Sequence, residues 1–288
     1  MDTCFVPLHS RSNYSLLRGA STVESLVERA VSLGIPALAL TDENNLYGAL
    51  DFYKAAAENG VKPILGATLE GDWGRGVALI ENSEGYSNLC ELISLNNLED
   101  DFSPTKAFSR LRKGLFFFTE DIELARKLLS GVERERLFLE LVRPQRPVKH
   151  QFDILEATRK LGLGLVASCD SFFISPADYE LHRVLTAMRE NSVLEDVKEI
   201  VPVDSYLHSP DKMKQLFYDC SEAVKNTITI ADACNFDFLD RDAVFPEVPE
   251  VSWKDASRQL RELVFSRALR RYDSITEEVG RRLEYELA

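Results

Sequence analysis

Short, continuous apolar runs alternate along the chain with stretches in which apolar residues recur every three or four positions. The runs are FVPL (5–8), PALALT (36–41), KPILGATL (62–69), GVALIE (76–81), GLFFFT (114–119), LFLELV (137–142) and GLVASC (164–169). Each is apolar almost throughout rather than strictly alternating, the pattern of strands covered on both faces of a parallel sheet. Helical periodicity falls between them. In the first helix Ser21 or Thr22 supplies the cap, Glu24 adds early negative charge, and Leu26, Val27, Ala30, Val31 and Leu33 form the apolar stripe. Gly34 ends it and Pro36 opens the next strand. Further helices are predicted near 48–58, 86–95, 121–130 and 151–161. Strand and helix repeated in this order predict an α/β fold, a barrel or a doubly wound sheet. Strands starting at the N-terminus favour the barrel, whose chemistry sits at the C-terminal ends of its strands.

Beyond residue 175 the pattern turns helical. SPADYELHRVLTAMREN opens on a Ser-Pro cap. SPDKMKQLFYDCSEAVKNTITIADACN reads as two helices capped by Ser209 and Ser221. FPEVPEVS (245–252) reads as an extended Pro-rich linker, followed by two more helical stretches. The expected organisation is a βα barrel over 1–200, a helical completion over 201–244, and a linker with helices over 245–288. The last helical pattern carries no stop signal, so the chain is expected to be cut from something longer.

Composition narrows the function classes. Against 34 basic residues stand 47 acidic ones, a formal charge of −13, which disfavours a module gripping nucleic acid over a broad face. Five cysteines at long spacings include no CxxC, as suits free thiols in a reducing cytoplasm. The N-terminus has no signal-peptide pattern and no apolar run reaches the ~20 residues that span a bilayer. A soluble cytoplasmic protein is expected.

His9, Asp42 and Asp170 each follow a strand candidate, in PLH, LTD and SCD. They form either a strand-end constellation or a set of ordinary turn and cap residues. In LHSRS, Arg11 stands two positions after His9, where a second histidine would complete a metal-binding pair. Arg134, Arg136, Arg143, Arg146 and Lys149 flank the sixth strand candidate, either as solvated flanks or as a basic patch for a partner or template strand. Arg258, Arg261, Arg267, Arg270, Arg271, Arg281 and Arg282 read as a solvated helix face laced with glutamates. The three phenylalanines of GLFFF, with Tyr47, Phe52 and Tyr53, read as packing residues.

The stretches LHSRSNYSLLRGA, ALALTDENNLYGALDFYKAA, GVKPILGA, NSEGYSNLCELIS, LFLEL, GLVASCDSFF and YLHSPDKMKQLF carry a resemblance. The chain resembles the polymerase and histidinol phosphatase (PHP) domain at the N-terminus of bacterial C-family DNA polymerases, the polymerase III alpha subunit and its error-prone relatives. The resemblance implies a distorted (β/α)7 barrel with a C-terminal helical extension. In active members histidines and carboxylates hold divalent metals at the strand ends, for phosphoesterase or 3′–5′ exonuclease chemistry.

Carried over residue by residue, the resemblance implies that most ligands are replaced. The paired histidines become His9 and Arg11, and the Asp-His after the next strand becomes Asp42 and Glu43. A glutamate becomes Thr68, with Glu70 two positions on. One histidine falls at Arg75 and another near Pro144. The final Asp-x-His becomes Asp170 and Phe172. Only His9, Asp42 and Asp170 match directly.

A guanidinium cannot ligate a cation and stays charged. Arg11, with Arg75, is therefore expected to supply the charge that metals supply in active relatives, balancing Asp42, Glu43 and Asp170. His9 is expected to hydrogen-bond Asp42 or Asp170. The alternative is a single zinc or manganese at His9, Asp42 and Asp170, with active phosphoesterase or exonuclease chemistry. The resemblance also implies a parent DNA-directed DNA polymerase whose magnesium and palm aspartates lie elsewhere. The fragment's partners would be that polymerase core and a replisome or proofreading subunit, with DNA reached through the parent.

Overall fold

The computed structural model describes residues 5–99, 101–198, 200–239 and 252–287. Six strands form one curled sheet in sequential order, β1 (Ala37–Glu43), β2 (Lys62–Gly71), β3 (Gly74–Ile80), β4 (Leu115–Thr119), β5 (Leu137–Val142) and β6 (Gly164–Ser168). The helices α1 (Val23–Ser32), α2 (Ala49–Glu58), α3 (Ser83–Leu98), α4 (Pro104–Arg110), α5 (Ile122–Leu128) and α6 (Val148–Leu161) lie between or before them. Then follow α7 (Tyr179–Arg189), α8 (Pro210–Leu216) and α9 (Ser221–Ala233). The chain divides into two compact units, residues 1–239 and 240–288. The second contains α10 (Trp253–Arg271) and α11 (Glu277–Leu287). Most of the 245–252 linker falls outside the described residues.

Two features depart from the expected all-parallel barrel. First, β3 runs antiparallel to both β2 and β4. Only Asp72 and Trp73 separate β2 from β3, and a parallel crossover needs a dozen residues or more. Gly74, at φ +118°, makes the tight reversal possible. Second, residues 5–8 are not a regular strand. Pro7 has no N–H to give a ladder, and the segment instead bridges the edges of the curled sheet. Pro7 and Ser10 carbonyls accept from Ala39 and Thr41 of β1, while His9 and Arg11 pair through their backbones with Ser171 beyond β6.

The strands bury both faces. Ala37, Ala39, Ile64, Val77, Leu79, Phe116, Phe118 and Val166 form one apolar cluster with Ile230 and Ala231 of α9. Leu38, Leu40, Leu65, Ala78, Ile80 and Phe117 turn the other way, into the larger core beneath the outer helices. Each Val, Leu, Ile or Phe side chain among them contributes ~1.5–3 kcal/mol by leaving water, and each alanine less. Two-sided burial explains why the strands read as uninterrupted apolar runs.

The helix caps follow the sequence in part. Thr22 and Ser209 accept the expected cap hydrogen bonds, whereas Cys220 precedes α9 and Ser221 is its first residue. Helix α4 was not expected, although Ser103-Pro104 is an ordinary start signal. Tyr47 is 69% exposed rather than packed.

Candidate functional site at the strand ends

The strand ends gather an ionic cluster whose centre is the Asp170 carboxylate. Asp170 follows β6 with φ +40°, a conformation that aspartate tolerates better than most residues. Its Oδ1 accepts from Arg11 Nη1 at 2.5 Å, and its Oδ2 from Arg75 Nη2 at 3.0 Å. Arg146 Nη2 stands 3.3 Å from Oδ2 as well. Burial pushes the carboxyl up, but Arg11, Arg75 and His9 pull harder and hold it well below the usual carboxylate range.

Arg11 is fully buried. Its Nε donates to Glu43 Oε1 at 2.9 Å, and its guanidinium lies 4.0 Å above the ring of Phe172. Glu43 also accepts from Arg18 Nε at 2.7 Å, and Arg18 reaches Glu70 at 3.2 Å. On the far side Arg146 grips Glu120 with Nε and Nη2, at 2.9 and 2.7 Å, and Arg75 approaches the same carboxylate at 3.3 Å. Alternating charges thus run from Glu70 through Arg18, Glu43, Arg11, Asp170 and Arg75 or Arg146 to Glu120. A cavity of about 380 Å³ lies between Arg75, Glu120, Glu140, Arg146 and His150.

His9 sits below this chain. Its Nδ1 is 2.7 Å from Glu140 Oε1, a contact that requires a proton on the axis, and its Nε2 is 3.1 Å from Thr68 Oγ1. The Thr68 hydroxyl donates to the Thr41 carbonyl, so its lone pairs face the imidazole. For Glu140, burial raises the carboxyl, but the charge and hydrogen bond of His9, with Arg75, bring the net direction down. Burial raises Glu120, and the Arg146 hydrogen bond does not fully offset it.

Asp42 stands apart from the cluster. It accepts from the Ser12 N–H at 2.8 Å, the Ser12 hydroxyl at 2.7 Å and the Ser15 hydroxyl at 2.6 Å. Burial still leaves its carboxyl raised. The loop that carries both serines is folded tightly on itself, because a Cβ on Gly19 would sit 1.9 Å from the Ser12 carbonyl oxygen.

The structure therefore brings His9, Arg11, Glu43, Thr68, Arg75, Asp170 and Phe172 together and sets Asp42 aside on its serines. His9 bonds Glu140 rather than Asp42, and Asp170 lies 3.4 Å from its Nε2. Sequence reasoning missed Glu140, Glu120 and Arg146. A lone carboxylate inside LFLELV was the available signal for the first. Glu120, one residue past a strand, looked like any turn residue. Arg146, two residues beyond the position near Pro144, enters the cluster rather than a solvated flank. Two of the other flanking arginines are also tied to carboxylates, Arg143 to Asp219 at 2.5 Å and Arg136 to Glu81 at 2.8 Å, whereas Arg134 is exposed.

These residues do not fit a divalent cation. Both His9 nitrogens, both Asp170 oxygens and both Asp42 oxygens already have partners, and a guanidinium occupies the approach to Asp170. Among the described residues no three or more His, Cys, Asp or Glu side chains are grouped to hold a metal.

The PHP domain family profile matches residues 7–142. The DNA polymerase III subunit alpha of Buchnera aphidicola is 32% identical over 265 residues, covering 80% of this chain and 23% of that protein. The error-prone DNA polymerase of Symbiobacterium thermophilum is 31% identical over 325 residues, covering 98% of this chain and 30% of that protein. The chain thus spans less than a third of these relatives' length. Among solved structures, a two-domain protein from Bacteroides vulgatus containing a predicted PHP-like metal-dependent phosphoesterase matches with a TM-score of 0.48 and 14% identity, over 75% of this chain and 69% of that one. No helix among the described residues is long and apolar enough to cross a membrane. Residues 7–142 are a PHP domain, and the chain is homologous over most of its length to part of DNA polymerase III subunit alpha.

Proposed function

We propose that this chain is the PHP module of a longer DNA-synthesising protein, and that its barrel serves as a metal-independent, catalytically inert scaffold. The observation that carries the reading is the saturation of Asp170 by Arg11, Arg75 and Arg146. Phosphoester hydrolysis by this fold's ligand types needs open lone pairs on imidazole and carboxylate to hold a metal and activate water. Here the Asp170 lone pairs face fixed cations, which neutralise the buried carboxylate and cannot be lost by dilution or chelation, and the His9 nitrogens are engaged by Glu140 and Thr68.

In this role the barrel packs against the polymerase core of the same polypeptide, with the linker and helices of 245–288 leading into it. Polymerase activity, magnesium and any replisome or proofreading partner belong to the parent protein. Two measurements test the reading together. Purified chain dialysed against zinc or manganese is expected to retain less than stoichiometric metal, and to leave labelled single-stranded DNA and a chromogenic phosphate ester uncleaved. Stoichiometric retention with manganese-dependent hydrolysis, abolished in His9→Ala, would overturn it.

A further inference from the structure

We infer that the outer face of α10 is a contact surface for the phosphodiester backbone of nucleic acid. Between residues 256 and 272 the sequence places Arg258, Arg261, Arg267, Arg270 and Arg271 against the single acidic residue Glu262, within a chain whose overall charge is −13. An acidic protein can hold a polyanion only where positive charge is concentrated locally.

These arginines fall into two groups. Arg258 pairs with Asp255 at 2.8 Å, and Arg261 pairs with Glu284 of α11. Arg267, Arg270 and Arg271 are exposed and have no ion-pair partner among the described residues. Arg261 lies on the same side of the helix as Ala268, the one buried residue described in α10, so that side faces α11. At 3.6 residues per turn, Leu263 and Arg270 lie roughly half a turn round from it, Arg267 about a third of a turn, and Leu260 and Arg271 about a quarter of a turn, all on the same flank.

The face therefore presents three unspent guanidiniums and two exposed leucines, Leu260 at 54% and Leu263 at 45%, with no carboxylate on it. Arg267 and Arg271 are about 6 Å apart along the axis, close to the spacing of two successive phosphate steps on one strand. Guanidinium forks match phosphate oxygens in geometry as well as charge. The leucines, one to two turns away, offer apolar contact to the sugars. Favourable interaction of Arg270 and Arg271 with the helix C-terminus accounts for part of their placement. It does not account for Arg267 or for the absence of acids on this side.

The choice of nucleic acid over an acidic protein rests on reading the chain as part of a DNA-synthesising protein. Binding is therefore measured directly and without synthesis, so inertness or activity of the barrel leaves the outcome untouched. The experiment is fluorescence anisotropy of the full 288-residue chain with labelled single-stranded and duplex 30-mers, from low salt to about 200 mM. The triple variant R267Q/R270Q/R271Q is compared with the charge-matched K54Q/K113Q/K127Q, and circular dichroism verifies that both keep their helix content. The arginine variant is expected to bind at least tenfold more weakly and to lose about two to three from the salt slope, while the lysine variant is unchanged. The stronger of the two probes identifies the form of nucleic acid preferred. No binding by the unsubstituted chain at low salt, or equal loss in both variants, would overturn the assignment.

Discussion

Arg11 and Phe172 form a stacked pair in the floor of the ionic cluster, the guanidinium 4.0 Å from the ring centroid and both side chains buried. The ring covers one face of a cation whose Nε and Nη1 are spent on Glu43 and Asp170, while its Nη2 is buried without a hydrogen-bond partner. A buried charge held this way is costly to strip of its partners, because whatever remains must stay desolvated.

Replacing Arg11 by Met keeps much of the volume and removes the charge. The expected loss is about 3 kcal/mol, at the lower end of the range for breaking a buried pair, because Asp170 keeps Arg75 and Arg146 and Glu43 keeps Arg18. The double variant R11M/D170N should lose less than the sum of the single losses, by more than ~1 kcal/mol. Urea denaturation at constant m-value measures both. Strict additivity would mean that the two side chains do not share their energetics.

Acid titration separates Asp170 from the other carboxylates. Its folded-state carboxyl is held well below the usual range. It therefore contributes stability that is complete above the unfolded value, about 3.9, and disappears as the pH falls through the folded value. Between roughly pH 4 and pH 2 the unfolding free energy should drop more steeply for the unsubstituted chain than for Asp170→Asn. Parallel profiles would show that the carboxyl is not held down by its guanidinium partners.

The barrel's frame was legible in the residues because its strands are buried on both sides and so read as unbroken apolar runs. The reversal at β3 could have been read from the short gap between KPILGATL and GVALIE, which leaves too few residues for a parallel crossover, but the unbroken apolar runs pointed to an all-parallel sheet. His9 and Asp170 announced themselves by following apolar runs, and Arg11 by standing two positions after His9. Asp42 stood at a strand end too, yet its partners are Ser12 and Ser15, contributed by a loop whose fold depends on Gly19. Glu120 and Arg146 come from different loops, and only the curl of the sheet brings their charges together. Pairings across the mouth of a barrel depend on three-dimensional closure, and no local pattern encodes them.

Glu140 and His9 offer a test of whether the deep part of the cluster is structural. Glu140→Leu removes the acceptor 2.7 Å from Nδ1 and leaves a buried imidazole without its partner. A loss of about 3 kcal/mol is expected. The double variant H9L/E140L replaces both polar groups by apolar ones of similar size, and Thr68 keeps its bond to the Thr41 carbonyl. It should be more stable than E140L alone, since apolar replacement of a whole buried pair is often close to neutral. A double variant less stable than either single one would show that the polar pair itself is needed for the fold, as thermal unfolding followed by circular dichroism would reveal.

Asp42 carries the opposite sign from Asp170. Burial raises its carboxyl, and the hydrogen bonds from Ser15 and Ser12 with the charge of Arg11 only partly offset this. A carboxyl raised on folding binds its proton more tightly in the native state, so stability falls as the pH climbs from the unfolded value through the folded one. At neutral pH the ionised group is thus a net cost that three donors make tolerable. Asp42→Asn retains an oxygen for the Ser12 N–H and the Ser15 hydroxyl, and the Ser12 hydroxyl can turn to accept from the new amide. Its stability at pH 7 should lie within about 1 kcal/mol of the unsubstituted chain, and the decline in stability from pH 4 towards pH 7 should be shallower. Asp42→Ala leaves the same donors buried and unanswered, and a loss of about 2–4 kcal/mol is expected. Equal losses in the two variants would mean that the carboxylate's charge, rather than its role as acceptor for the serine loop, holds this corner of the barrel together.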